Sequence, residues 1–205
     1  MYDSILTKPF GPHILECMCP DDVVTKFNYF VDNMDQETKE LCSSKHSKVE
    51  GFPDLLSRGF EIVYMTGQQL EDIGFTQFIA PMAKEYLDAY GVQNAQIHWN
   101  QSHFSELFVD AWVNRYFEDN YTPPHDHAGN ISGITFLELP EESDWYDLHS
   151  LEFIWNNQHH RPEQEVGKTF MFPNSLLHWV NKTKSDSERR TLSFNLQVIP
   201  QDIRG

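Results

Sequence analysis

The sequence predicts a single domain that is mainly β, a sandwich or barrel with helices packed on the outer face of one sheet. Three observations carry this. From about residue 95 onward the chain breaks into short strand-like runs, several of which alternate polar and apolar residues. Turn-forming stretches separate them, such as "EDNYTPP", "PEESD", "NNQHHRPEQEVG", "PNS" and "KTKSDSE", at the spacing of sandwiches and barrels. Helical periodicity is confined to the first part of the chain. The expected organisation is one domain over residues 1–205, with residues 1–94 as a helical and strand extension and residues 95–200 as the β core.

The elements follow in order. "HILECMC" is the first strand. "PDDVVTKFNYFVDNM" reads as a helix: Pro20, Asp21 and Asp22 suit its first turn, and Val23, Val24, Phe27, Phe30 and Val31 recur at helical spacing. Residues 35–58 are polar and read as a loop. A second helix lies within "FTQFIAPMAKEYLDAYG", with Ile79, Met82, Ala83 and Tyr86 as its buried stripe and Gly91 as its stop. The β core then runs through "AQIHWNQSHFSELFVDAWVNRYF", "ISGITFLEL", "LHSLEFIW", "GKTFMFP", "LLHWVN" and "RRTLSFNLQVI".

With 205 residues, 40% of them hydrophobic and 14% aromatic, the chain can bury a substantial core. No apolar run is long enough to span a bilayer, and the N-terminus lacks the basic head and apolar segment of a secretory leader. The expectation is a cytoplasmic protein with no membrane partner. A net charge of −16, from 31 acidic and 15 basic residues, repels phosphate backbones and argues against nucleic acid. The three cysteines, Cys17, Cys19 and Cys42, read as reduced structural thiols. A homodimer is the working expectation for assembly.

Chemistry concentrates in "YTPPHDHAGNISG", residues 121–133. Side chains alternate along a strand, so His125 and His127 point one way and Asp126 the other. Two imidazoles at a strand edge form a nitrogen-rich clamp suited to iron, zinc, copper or nickel. A third ligand must come from elsewhere, and His178 in "FMFPNSLLHWVNKT" is the best candidate. Further on, alternation puts Arg189, Thr191, Ser193 and Asn195 on one face of "RRTLSFN", with Arg190, Leu192 and Phe194 on the other. An inward Arg-x-Thr is a carboxylate clamp: the guanidinium makes a bidentate pair and the hydroxyl adds a hydrogen bond. The bland alternative is a strand whose two arginines are both solvated.

H-x-H, a later His and then Arg-x-Thr occur in the order of the Fe(II)/2-oxoglutarate-dependent oxygenases, which the chain resembles. "WVNRYFEDNYTPPHDHAGNISGITFL", "FMFPNSLLHWV" and "ERRTLSFNLQV" are similar to a bacterial and phage subfamily of these enzymes, over about residues 107–199. The resemblance implies a double-stranded β-helix, a jelly-roll or cupin-like core. It implies an Fe(II)- and 2-oxoglutarate-dependent dioxygenase, most simply a hydroxylase, that couples decarboxylation of 2-oxoglutarate to succinate with dioxygen-dependent oxidation of a small-molecule or peptide substrate. It makes His125 and His178 iron ligands, and Arg189 with Thr191 the holder of the distal carboxylate. Asn114 and Ser132 face the same region in the family pattern and are cosubstrate-side candidates.

One departure stands out. The usual facial triad has a carboxylate two residues after the first His, and here that position is His127. Alternation favours three histidines. The usual carboxylate favours a strand irregularity that turns Asp126 inward. A third reading has two protein ligands with water filling in. Three neutral ligands leave more positive charge for a dianionic cosubstrate. The rival function is a cupin-type metal protein, an isomerase, cosubstrate-free dioxygenase or sugar-binding module. Such a protein keeps the histidines but has no use for Arg189, and no Glu follows His127 at cupin spacing. A β-sandwich interaction protein with buried histidines is the reading without chemistry. His159, His160 and Arg161 read as an exposed turn, and Trp112, Trp145, Trp155 and Trp179 as core or pocket wall.

Overall fold

Two antiparallel sheets face each other, and three helices cover the outside of the larger one. The computed structural model describes residues 3–9, 11–38, 61–92, 95–99, 111–140, 150–182 and 185–200. Residues 39–58 of the polar stretch read as a loop, with Cys42 and His46, lie outside the described residues, as do His103, Trp145 and His149.

The strands are β1 (Ser4–Thr7), β2 (Ile14–Met18), β3 (Glu61–Tyr64), β4 (Ala95–Trp99), β5 (Ala111–Tyr116), β6 (Thr122–His125), β7 (Ile131–Glu138), β8 (Leu151–Trp155), β9 (Gln158–His160), β10 (Lys168–Pro173), β11 (Leu177–Val180) and β12 (Arg189–Pro200). The large sheet runs β1-β2-β10-β7-β12-β5-β3, with β4 pairing the C-terminal part of β12. The small sheet runs β6-β11-β8-β9. Three strands of the large sheet, β1, β2 and β3, come from the first 94 residues.

The helices are α1 (Asp21–Asp32), α2 (Gly67–Ile73) and α3 (Phe75–Ala89). Helix α1 begins with two acidic residues at its N-terminus and buries Val23, Val24, Phe27 and Val31. Helix α3 buries the expected stripe, and Gly91 follows it with φ of 70°, the left-handed geometry that stops a helix. Helix α2 was not expected. Its signal is a capping box: Thr66 accepts from the Gln69 backbone N–H, and the Gln69 side chain accepts from the Thr66 N–H.

The sheets create two apolar layers. Leu15, Val113, Leu192, Phe194 and Leu196 point outward from the large sheet and pack with Phe27, Phe75 and Phe78 of the helices. Ile134, Phe136, Phe170 and Phe172 point inward against Leu151 and Phe153 of the small sheet. Strand β7 lies between both layers, which is why "ISGITFL" is buried throughout instead of on alternate residues.

Gly133 in this strand is opposite Phe194, whose ring occupies the space a side chain would need. Gly133→Val is expected to lower stability by about 1–3 kcal/mol through overpacking. A urea titration with an unchanged m-value and a lower midpoint would show it.

Two segments expected to be turns contain strand. Thr122–His125 of "TPPH" pairs with β11. It forms an edge of the small sheet, and Pro123 and Pro124 suit that position because an edge strand can spare an N–H. "NNQHH" is a hairpin instead of a plain turn: Asn156 and Asn157 take φ of 48° and 62°, a conformation asparagine tolerates, and β9 then pairs β8. The long run from 95 divides into β4 and β5, with residues 100–110 outside the described part.

Candidate metal and cosubstrate site

His125 and His178 are direct cross-strand partners where β6 pairs β11. His127 follows just after β6 ends, where its backbone N–H donates to the Asn174 carbonyl and the Asn174 side chain donates back to the His127 carbonyl. That clasp holds the short loop against the Pro-Asn-Ser turn before β11. The three imidazoles each present a ligand nitrogen within 4.8 Å of the others. The His127 and His178 Nε2 atoms are 3.2 Å apart. Two nitrogens bound to one metal at about 2.1 Å would lie about 3.0–3.4 Å apart, so the spacing fits a shared ion.

Protonation favours the same use. The Nδ1 atoms of His125 and His178 lie 2.9 Å from the carbonyls of Pro123 and Leu176, to which an N–H at Nδ1 donates. This leaves Nε2 with its lone pair toward the cluster. Burial lowers the basicity of all three rings, with the neighbouring imidazoles adding to the effect on His127 and His178. His127 falls to about 3. All three are therefore neutral at pH 7. Among the described residues no carboxylate joins the cluster. Asp126 is exposed and borders the adjoining cavity.

Arg189 and Thr191 are inward-facing on β12, beside Tyr116 and Asn114 of β5. Neither arginine of "RR" is solvated. Arg190 reaches the helix side, where it binds Glu188, Asp32 and Asn28. Arg189 is 0% exposed and has no acidic partner among the described residues. Its guanidinium lies 5.1 Å from the Tyr116 ring and 5.3 Å from the Phe136 ring, and its Nη2 donates to Gln164 at 3.3 Å. The Nε and Nη1 atoms and the Thr191 hydroxyl have no hydrogen-bond partner among the described residues. Burial brings the guanidinium down to about 10, which still leaves it charged at neutral pH. A buried cation beside an idle hydroxyl calls for an anion with several acceptor atoms.

Asn114 donates to Ser193 at 2.9 Å, and both border the cavity. Ser132 is buried and donates to Asn195 at 2.7 Å. The cavity has a volume of about 680 Å³. Its wall includes Tyr64 and Trp112, with the Trp112 ring 5.6 Å from His127. No pattern in the sequence marks Phe136 or Gln164 as supports of Arg189. Tyr116 had a weak signal, since it shares the inward face of "WVNRY" with Asn114 and Trp112. His159 and Arg161 are not near the cluster; both engage the buried Glu152 carboxylate, at 3.2 and 2.6 Å.

The family described as "Putative 2OG-Fe(II) oxygenase" matches residues 110–195. This β core carries the 2OG-Fe(II) oxygenase pattern. Fe(II) and 2-oxoglutarate are the cofactors that this family implies, and the three histidines and the unpaired Arg189–Thr191 groups suit them. Solved 2OG-Fe(II) oxygenases share the fold. A Burkholderia pseudomallei oxidoreductase of the 2OG-Fe(II) oxygenase family aligns at a TM-score of 0.50 and 11% identity, over 67% of this chain and 66% of its own, just under two thirds. A Pseudomonas putida prolyl-4-hydroxylase aligns at 0.57 and 12%, over 98% of this chain and 94% of its own. A Trichoplax adhaerens prolyl hydroxylase, solved with a hypoxia inducible factor peptide fragment, aligns at 0.57 and 12%, over 96% and 83%. No curated protein matches the sequence. The double-stranded β-helix implied by the motifs is the observed core. No helix among the described residues is long and apolar enough to cross a membrane.

Proposed function

We propose that the chain is an Fe(II)- and 2-oxoglutarate-dependent dioxygenase, most simply a hydroxylase. The observation that carries this is Arg189: a fully buried guanidinium with two unpaired nitrogens beside the unpaired Thr191 hydroxyl. A cupin without a cosubstrate would have no reason to bury that charge.

In this reading His125, His127 and His178 hold the iron as three neutral ligands. Asp126 is not a ligand in this reading, since it is exposed and outside the cluster. Arg189 and Thr191 bind the distal carboxylate of 2-oxoglutarate. Tyr116 and Phe136 exclude water around the guanidinium and so strengthen that pair. Gln164 fixes the guanidinium's orientation through Nη2. Asn114, from the cavity wall, supports the cosubstrate side, while Ser132 acts one step back by fixing Asn195. When bound, iron and 2-oxoglutarate would supply the oxidative chemistry, with one oxygen atom of dioxygen going to succinate, the other to the substrate C–H bond, and carbon dioxide released. The protein orients the reactants and excludes bulk water. The substrate is a small molecule or a peptide; the Trichoplax neighbour was solved with a peptide.

The test is anaerobic. Fe(II) followed by 2-oxoglutarate is expected to give the weak visible charge-transfer band of the metal–cosubstrate chelate. Metal binding without that band would favour the cupin-type alternative.

A further inference from the structure

The wall of the cavity has an uneven chemistry. No lysine or arginine borders it among the described residues. Its one carboxylate is Asp126, which is exposed and engaged by no hydrogen bond or ion pair among those residues. Beside His127 the wall is aromatic. Tyr64 and Trp112 are paired across β3 and β5 with ring centroids 6.5 Å apart, and Trp112 continues to His127. Aromatic rings and a single carboxylate lining one cavity suit an organic cation: rings attract a cation through their quadrupoles and a carboxylate supplies the counter-charge. The overall charge of −16 favours the approach of a cation.

We infer that the substrate carries an alkylammonium or guanidinium group, and that Asp126, with Tyr64 and Trp112, selects for it. This rests on reading the cavity as the substrate site of the proposed oxygenase. Asp126 is then a specificity residue and not a metal ligand, which accounts for a charged residue kept between two imidazoles and turned out of their cluster.

The test uses two probes that share an aliphatic stem. N-acetyl-lysine methylamide carries the ammonium, and N-acetyl-norleucine methylamide lacks it. Each is titrated calorimetrically into the metal-free protein at low salt, so the result does not depend on turnover. The lysine probe is expected to bind at least about tenfold more tightly. That ratio should fall to near unity in Asp126→Asn, shrink in Trp112→Leu and weaken with added sodium chloride. Equal binding, preference for the norleucine probe, no binding of either, or an unchanged ratio in Asp126→Asn would overturn the inference. Cobalt(II) absorption of Asp126→Asn provides a second readout: retained metal binding agrees with a specificity role, and loss of the metal overturns it. The chelate band of the parent separates the two levels. A band without a cation preference sinks only this inference, and a missing band sinks the cosubstrate reading.

Discussion

Arg189→Met is expected to abolish 2-oxoglutarate binding and to raise the melting temperature of the cosubstrate-free protein. The two effects have one cause. In the parent the guanidinium is fully buried, has no acidic partner among the described residues and leaves two nitrogens unsatisfied there, so folding bears a desolvation cost that an anion can offset. Methionine fills similar space without the charge. It also removes the partner of a desolvated carboxylate, a change that costs about 2–5 kcal/mol, or roughly thirty-fold to several thousand-fold in affinity. The measurement is thermal unfolding with and without 2-oxoglutarate, alongside the anaerobic band. The cosubstrate should raise the melting temperature of the parent and leave the variant unmoved. Arg189→Lys separates charge from shape: a point charge there loses the bidentate geometry and should recover only part of the affinity. A variant that still binds 2-oxoglutarate as the parent does would remove the main support for the oxygenase reading.

His178→Ala is expected to lose the metal. His178 is buried, pairs with His125 across the strands and places its Nε2 atom 3.2 Å from that of His127. Removing it leaves two imidazoles on one short segment. Losing even an indirect support of a ligand costs about 10–100-fold in metal affinity, so losing the ligand itself should cost more than about 100-fold. Calorimetric titration with cobalt(II), compared with the parent, reads this directly. Because burial keeps His178 unprotonated, the apo variant should not be penalised by a lost ion pair, and its fold is expected to survive. Parent-like cobalt affinity in His178→Ala would mean that the ion sits elsewhere.

Much of this site could be read from the sequence because strands impose a period of two. That rule places Arg189 with Thr191 and sends Arg190 to the opposite face, whereas His127 lies beyond the end of β6 and is positioned by the Asn174 clasp. The rule does not say how deeply a residue is buried. Arg190 is 2% exposed because helix α1, distant in sequence, brings Asp32 and Asn28 over it. The Tyr116 and Phe136 rings that enclose Arg189 come from two further strands, and Gln164 comes from a connecting segment. Each is a long-range contact with no local pattern. Strands β1 and β3 are only four residues long, too short for alternation to register. Helix α2 had a local signature, the Thr66–Gln69 box, that periodicity alone does not detect.

The prolines of β6 limit how another chain can approach the site. Strand β6 carries His125 along an outer edge of the small sheet, the kind of edge that invites a foreign strand to add itself. Pro123 and Pro124 remove two consecutive amide donors there. A second molecule cannot extend a full ladder along this edge, so the rim beside the histidines resists strand-to-strand polymerisation at high concentration. A peptide laid across the rim would meet the same deficit. It would have to be held in register by its side chains and not by its main chain.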